Sequence, residues 1–153
     1  MTTAIRRASA GDVAAAAAIT RAAYSTYVER IGREPAPMAA DFGALIEAGD
    51  VWVATDRDQV VGVLVLQLQD AALLLESVAV DPAHQGRGIG RSLIDHAERV
   101  AREQGLGAVD LYTNALMTEN LRLYPSLGYE VVDRRREDGF DRVYFRKSLA
   151  PGG

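Results

Sequence analysis

Hydrophobic positions along the chain change their period twice. Between residues 13 and 31, apolar or aromatic side chains fall at Val13, Ala16, Ala17, Ala23, Tyr24, Tyr27, Val28 and Ile31. Steps of three and four residues place them on one buried stripe of a helix. Ser9 and Asp12 have the spacing of a capping box at its start, and Gly32 ends it. Ala4–Arg7 before it reads as a short strand. Pro35 and Pro37 each disfavour helix in the preceding residue, so Gly32–Met38 is expected to be a stiff loop. A shorter helix over Ala39–Ala48, closed by Gly49, follows, and this section is either a simple connection or one wall of a substrate pocket.

From Val51 the period shortens. Val51–Ala54, Val60–Leu68 and Leu73–Val80 are apolar runs separated by short polar turns, which predicts three antiparallel neighbouring strands. The second and third are apolar at nearly every position and are expected to be covered on both faces. Helical spacing returns with Ile89, Leu93, Ala97, Val100 and Ala101, up to about Gln104, with Gly105 as the stop. Ala108–Thr113 is the next strand, and strand, helix, strand with a crossover of this length implies a right-handed parallel pair. A short helix from about Glu119 to Leu127, Gly128, and two strands at Tyr129–Arg134 and Arg142–Lys147 complete the pattern.

Composition narrows the picture. A chain of 153 residues, 48% hydrophobic and 25% charged, suits one domain over 1–149, with 150–153 as a disordered tail. Net charge is -4 with a pI of about 5.2, and the basic residues are dispersed, so no footprint for nucleic acid or an anionic membrane is expected. The absence of cysteine removes disulfides and a thiolate nucleophile, and with two histidines, His84 and His96, no metal site is expected. Neither a signal-type segment nor a run near the ~18 apolar residues of a membrane span occurs, so a cytoplasmic location is expected.

Chemistry concentrates in the stretch after Leu73–Val80. Asp81-Pro82 ends the strand, and a loop then delivers Gly86, Gly88 and Gly90 at alternate positions into a helix start. Backbone N–H groups there lack partners and the macrodipole makes that end partly positive, so the stretch is built to hold a phosphate or pyrophosphate. A Walker A loop would need a lysine that is missing, and the dinucleotide fingerprint needs G-x-G-x-x-G directly after a strand. A nucleotide-dependent oxidoreductase is therefore a distant reading, and Asp110 inside the next strand is a coincidence of spacing.

Gln85-Gly86-Arg87-Gly88-Ile89-Gly90 resembles the Q/R-x-x-G-x-G/A motif of the GCN5-related N-acetyltransferases, the GNAT family, and Val78-Ala79-Val80-Asp81-Pro82 resembles the strand before that motif. Asn120-Leu121-Arg122-Leu123-Tyr124-Pro125-Ser126-Leu127-Gly128-Tyr129 is similar to the family's N-x-x-x-x-Y-x-x-x-G-F/Y segment, with Pro125 where a glutamate is frequent. The resemblance covers nearly the whole chain. It implies an α/β fold of the α+β type: a mixed, mostly antiparallel sheet of about seven strands with one splayed parallel pair and about four flanking helices.

It also implies acetyl-coenzyme A as cosubstrate. The pantetheine arm would enter the splay and bond along Val78, Ala79 and Val80 like an added strand, and the pyrophosphate would lie on the N–H groups of Gln85, Gly86, Arg87, Gly88, Ile89, Gly90 and Arg91. Arg87 and Arg91 can add charge. Asn120 would approach the coenzyme and Tyr124 its sulfur. A phenol with an ordinary pKa near ~10 keeps its proton at neutral pH, which suits Tyr124 to protonate the departing thiolate, or else it is a core tyrosine. Glu76, a carboxylate in an apolar strand, is a base, a water relay, an acceptor anchor or a structural partner. A backbone N–H near Val78 is the candidate oxyanion donor.

Tyr24, Tyr27, Arg30, Glu76 and Asn114 are candidates for contact with the acceptor, Asn114 equally for capping the chain after its strand. Arg33 and the hairpin of Arg134, Arg135, Arg136, Glu137, Asp138 and Asp141 border the acceptor site by resemblance and are otherwise solvated. The expected activity is direct transfer, in a ternary complex, of acetyl from acetyl-coenzyme A to a primary amine of a small molecule or peptide, by a monomer or homodimer. The alternative is a non-catalytic acyl-coenzyme A binding or sensing module.

Overall fold

The computed structural model describes residues 3–149 of the chain; the expected disordered tail at 150–153 lies outside the described residues. The elements are β1 (Thr3–Arg7), α1 (Val13–Tyr24), α2 (Val28–Ile31), α3 (Phe42–Glu47), β2 (Val51–Asp56), β3 (Gln59–Leu68), β4 (Leu73–Val80), α4 (Ile89–Glu103), β5 (Ala108–Asn114), α5 (Thr118–Ser126), β6 (Glu130–Glu137) and β7 (Phe140–Ser148). One 3₁₀ turn, Ser25–Tyr27, joins α1 to α2, so the helices count as four bodies. The seven strands form one mixed sheet in the order β1-β2-β3-β4-β5-β7-β6, mostly antiparallel, with β4 and β5 parallel. No described helix is long and apolar enough to cross a membrane.

The described residues fall into two compact units, residues 3–66 with 77–96, and residues 67–76 with 97–149. In the first, the Ser9 amide donates to Asp12 Oδ2 at 2.8 Å and a 3₁₀ turn at Ala10–Asp12 leads into α1, so the capping box forms. The α1 stripe packs with Phe42 and Ile46 of α3 on Val51, Val53, Val63 and Val65. Across β3, a Cβ on Gly62 would stand 3.0 Å from both Ile89 Cγ2 and Leu93 Cδ1. Only glycine lets the start of α4 approach the strand that closely. Residues Val61–Leu66 are all buried, as their unbroken apolar run predicts. The proline segment differs in detail from its expectation: Ala36–Ala39 is a 3₁₀ turn, and α3 starts only at Phe42, where Asp41 caps it by accepting from the Ala44 amide.

In the second unit, α5 and residues 97–103 of α4 lie on one face of β5 and β7, Tyr124 packing on Phe145 and Glu98 bonded to Lys147, while β6 is exposed almost throughout. Leu111 opposes Phe145 on that covered face, and Tyr112 opposes Tyr144 on the other. The β6–β7 hairpin turns through Asp138 (φ 52°) and Gly139 (φ 81°), both left-handed, as a two-residue turn of the I′ kind requires. A bulge at Val132 shifts the register, so that Asp133 faces Tyr144 and Arg135 faces Arg142. Pro125 does not break α5. It lies in the last turn and is exposed, and the chain closes by amides of Leu127 and Tyr129 donating to the Tyr124 carbonyl, both at 3.0 Å, before left-handed Gly128.

The expectation that β4 is covered on both faces is corrected. Its burial alternates, with Leu73, Leu75, Ser77 and Ala79 buried and Leu74, Glu76, Val78 and Val80 only partly so. An apolar residue on a face left partly open reads in sequence like one in the core.

Candidate active site

In the first unit, β4 is followed by Asp81, whose side chain accepts from the Ala83 amide at 3.2 Å and stands 3.2 Å from His84 Nδ1. These contacts shape the turn before the glycines and give His84 a local structural task. Gly86 (φ 82°) and Gly88 (φ 79°) are left-handed, a conformation that strains any side chain, whereas Gly90 is an ordinary helical position. Ser92 is the residue whose amide closes on the Gly88 carbonyl, at 3.0 Å. The preceding N–H groups, those of Ile89, Gly90 and Arg91, are therefore the ones without a carbonyl four residues back, at the positive end of a 15-residue helix. Gln85, Arg87 and Arg91 are exposed beside them. The geometry fits a pyrophosphate held by backbone donors.

In the same unit one of the expected acceptor residues, Tyr24, reaches the second half of β4, and Tyr27 and Arg30 follow it in a chain of ring contacts. The Tyr24 hydroxyl donates to the Val78 carbonyl at 3.2 Å, the Tyr24 and Tyr27 ring centroids are 6.4 Å apart, and the Arg30 guanidinium stands 5.1 Å above the Tyr27 ring. Helix α1 is thus tied to the strand through Tyr24.

In the second unit, Tyr124 is 5% exposed and lies on the covered face, 5.7 Å from the Tyr129 ring and 5.8 Å from the Phe145 ring. Glu76 belongs to the opposite face: its charge, with burial, acts on Tyr112, whose partner in register is Tyr144. Tyr124 and Glu76 are therefore served by different faces of one sheet. Asn120 Nδ2 donates to Thr113 Oγ1 at 3.0 Å and tethers α5 to the end of β5. Asn114 takes the capping alternative, its Oδ1 accepting from the Leu116 amide at 2.9 Å.

Further groups complete the two faces. On the covered face, Glu98, 5% exposed, accepts from the Tyr129 hydroxyl at 3.1 Å and from Lys147 Nζ at 2.9 Å. On the open face, Leu74, Asp110, Tyr112, Arg135, Tyr144 and Arg146 line a cavity of about 350 Å³. Burial pushes the Tyr112 phenol above its ordinary value, Arg142 opposing and Glu76 adding to the rise. Tyr144 is raised by burial and by its hydrogen bond to Glu137. Among the described residues no group of three or more His, Cys, Asp or Glu side chains is arranged to hold a metal ion.

Residues 47–131, more than half the chain, match the family model of the acetyltransferase (GNAT) domain. The chain is 35% identical over 85 residues to N-acetyltransferase family 8 member 3 of Rattus norvegicus, a match covering 52% of this chain and 37% of that protein. It is 28% identical over 95 residues to the peptidyl-lysine N-acetyltransferase YjaB of Salmonella typhimurium, covering 61% of this chain and 59% of the relative. The chain thus spans less than two thirds of either relative. Its fold superposes on the PaiA N-acetyltransferase of Thermoplasma acidophilum, solved in complex with coenzyme A, with a TM-score of 0.80 at 18% identity over 97% of this chain and 100% of the other. With the glycine-bearing helix start after β4 and the single parallel pair in place, the chain belongs to the GNAT acetyltransferase family.

Proposed function

We propose that the chain works as a single acetyltransferase domain, cytoplasmic and monomeric or homodimeric, that transfers acetyl from acetyl-coenzyme A to a primary amine of a small molecule or peptide in a ternary complex. The observation that carries this reading is the Gln85–Arg91 segment: two left-handed glycines and three helix-start amides in the loop and helix start that follow β4. These amides, with Arg87 and Arg91, would hold the pyrophosphate, and the backbone of Val78, Ala79 and Val80 would run beside the pantetheine arm. Asn120, tied to Thr113, would hold α5 in register beside the coenzyme.

Bound acetyl-coenzyme A supplies the thioester whose C–S bond breaks as the C–N bond forms. Glu76, directly or through a water, takes the proton that the attacking nitrogen loses. The Val78 N–H donates to the carbonyl oxygen as charge develops on it. Tyr124 gives its hydroxyl proton to the leaving thiolate and recovers one from solvent. Supporting this division, Glu76 and Tyr124 belong to opposite faces, so the entering nitrogen and the departing sulfur would not compete for one group. Tyr24, Tyr27 and Arg30 remain the proposed acceptor contacts.

The test is a thiol-release screen of acetyl-coenzyme A against an amine panel, with wild type and Tyr124→Phe. Turnover by wild type and a drop in kcat of about 10²-fold in the variant are expected, the low end for a general acid because thiolates leave readily. Unchanged kcat would remove Tyr124 as the acid, and coenzyme binding without turnover on any amine would leave a binding module.

A further inference from the structure

Arg142 on β7 is held in a way that no other arginine of its hairpin is. Its side chain is 12% exposed, and its guanidinium lies 4.7 Å from the Tyr112 ring centroid and 5.3 Å from that of Phe140. A guanidinium lying flat on a ring keeps its in-plane N–H fork for an acceptor. Among the described residues that fork has no hydrogen bond. The carboxylate within ion-pair range is Asp138 at 4.0 Å, 84% exposed on the hairpin turn, too distant for a hydrogen bond. The neighbours differ: Arg134 meets Asp141 at 2.7 Å, Arg135 meets Asp133 at 2.6 Å, and Arg146 grips Asp110 by two bonds of 2.6 and 2.9 Å. Three of the other four hairpin arginines are more exposed than Arg142 and are neutralised by fixed carboxylates, and the fourth, Arg136, is exposed, while Arg142 is largely buried and keeps its donors.

A largely buried cation is stable in the long run only with an anion on its donors, and a planar fork matches a carboxylate in two parallel bonds. The surroundings carry both signs of charge: Arg142 lowers the Tyr112 phenol on whose ring it lies, while Glu76, Glu137 and Asp138 raise it. The face thus offers a carboxylate, Glu76, and an uncommitted guanidinium, Arg142, on either side of one half-buried phenol, a pattern complementary to a zwitterion.

We propose that Arg142, stacked on Tyr112 and Phe140, is the carboxylate anchor of the acceptor site, which makes the acceptors amino acids or other amines bearing a carboxylate close to the nitrogen. The inference rests on the acetyltransferase reading, since it names the acceptor of that reaction. Tyr112 supplies the wall against which the acceptor lies and remains a neutral phenol, so it does not consume the charge of Arg142.

The experiment compares amino acids with their carboxamides as acceptors, by thiol release, in wild type, Arg142→Gln and Arg142→Lys. Wild type is expected to prefer the acid about 100-fold in kcat/KM, carried by KM, as the loss of a charge-assisted bidentate contact implies. In Arg142→Gln that ratio collapses towards one. Arg142→Lys restores part of it, because a point charge lacks the fork. Being a ratio within one variant, the readout is insensitive to a partial loss of folded protein. An equal use of acid and amide by wild type, or a ratio unaltered in Arg142→Gln, overturns the proposal. If wild type acetylates no amine at all, the acetyltransferase reading fails separately. The anchor is then judged by amino-acid-dependent elevation of the unfolding midpoint: elevation that disappears in Arg142→Gln sustains it, and no elevation overturns it.

Discussion

Two ionic clusters lie on opposite faces of the same strands and are finished to different degrees. On the covered face, Glu98 receives the Tyr129 hydroxyl and the Lys147 ammonium, with Arg102 4.0 Å away, so both carboxylate oxygens are engaged. On the open face, Arg142 has two aromatic rings and no hydrogen bond to a described residue. The first arrangement is closed. Its value is to the folded state, because each group would be costly to bury alone. The second leaves a charge whose satisfaction is postponed, which suits a group that meets a ligand. The difference predicts that charge removal damages folding in proportion to how completely the charge is satisfied within the chain.

Glu98→Ala is expected to cost the most. It strips a buried hydroxyl and an ammonium of their shared acceptor, and breaking such a pair costs about 3 kcal/mol, the low end of the usual range because Lys147 keeps 27% of its surface and can turn to water. Denaturant midpoints at constant m-value measure it. A loss under about 1 kcal/mol would place this cluster in the same class as the open one. Tyr124 packs directly on Tyr129, so the same variant is also expected to loosen the candidate acid.

A third pair, Arg6 with Asp12 in the first unit, is intermediate in burial and sharpens the scale. Arg6 donates to Asp12 at 2.7 and 3.1 Å, and this bond, assisted by the Ser9 amide, holds the carboxyl at about 2 against an ordinary 3.8. The folded pKa lies below the unfolded one, so the stabilisation is fully present above pH 3.8 and fades as pH falls towards 2. Allowing for the 46% exposure of the Arg6 side chain, about 1 kcal/mol is at stake. Unfolding followed between pH 6 and pH 2 in wild type and Asp12→Asn should show the difference between the two proteins shrinking across that window. A constant difference would assign the effect to the cap alone.

The two faces were unequally legible from the chain. The β4 strand, its Asp-Pro end, the alternate glycines and the amphipathic α4 are contiguous, and local spacing suffices to read them. Both clusters depend on β7 lying between β5 and β6, and no local spacing reports that order. Glu98 and Lys147 are 49 residues apart. Arg142 directly follows a run of mixed charges that reads as a solvated face, at the start of the last expected strand. Its stacking follows from the register, in which Asn114 and Arg135 flank it on the neighbouring strands and Tyr112 is two residues back on β5. Asn114 illustrates the converse: a residue type suited to ligand contact is engaged in the local turn that the alternative reading named.

The smallest expected effect on folding, and the sharpest test of the contrast, is Arg142→Met. Methionine keeps much of the apolar contact with the Tyr112 and Phe140 rings, and sulfur against an aromatic edge replaces part of the cation–π attraction. No carboxylate at hydrogen-bond distance is orphaned, since Asp138 is already exposed. The loss on folding is therefore expected to be below about 1 kcal/mol, and a gain is consistent with removing a cation whose donors are unsatisfied in the free protein. A loss comparable to that of Glu98→Ala would mean that Arg142 holds the hairpin together, and the contrast between a closed and an open cluster would disappear.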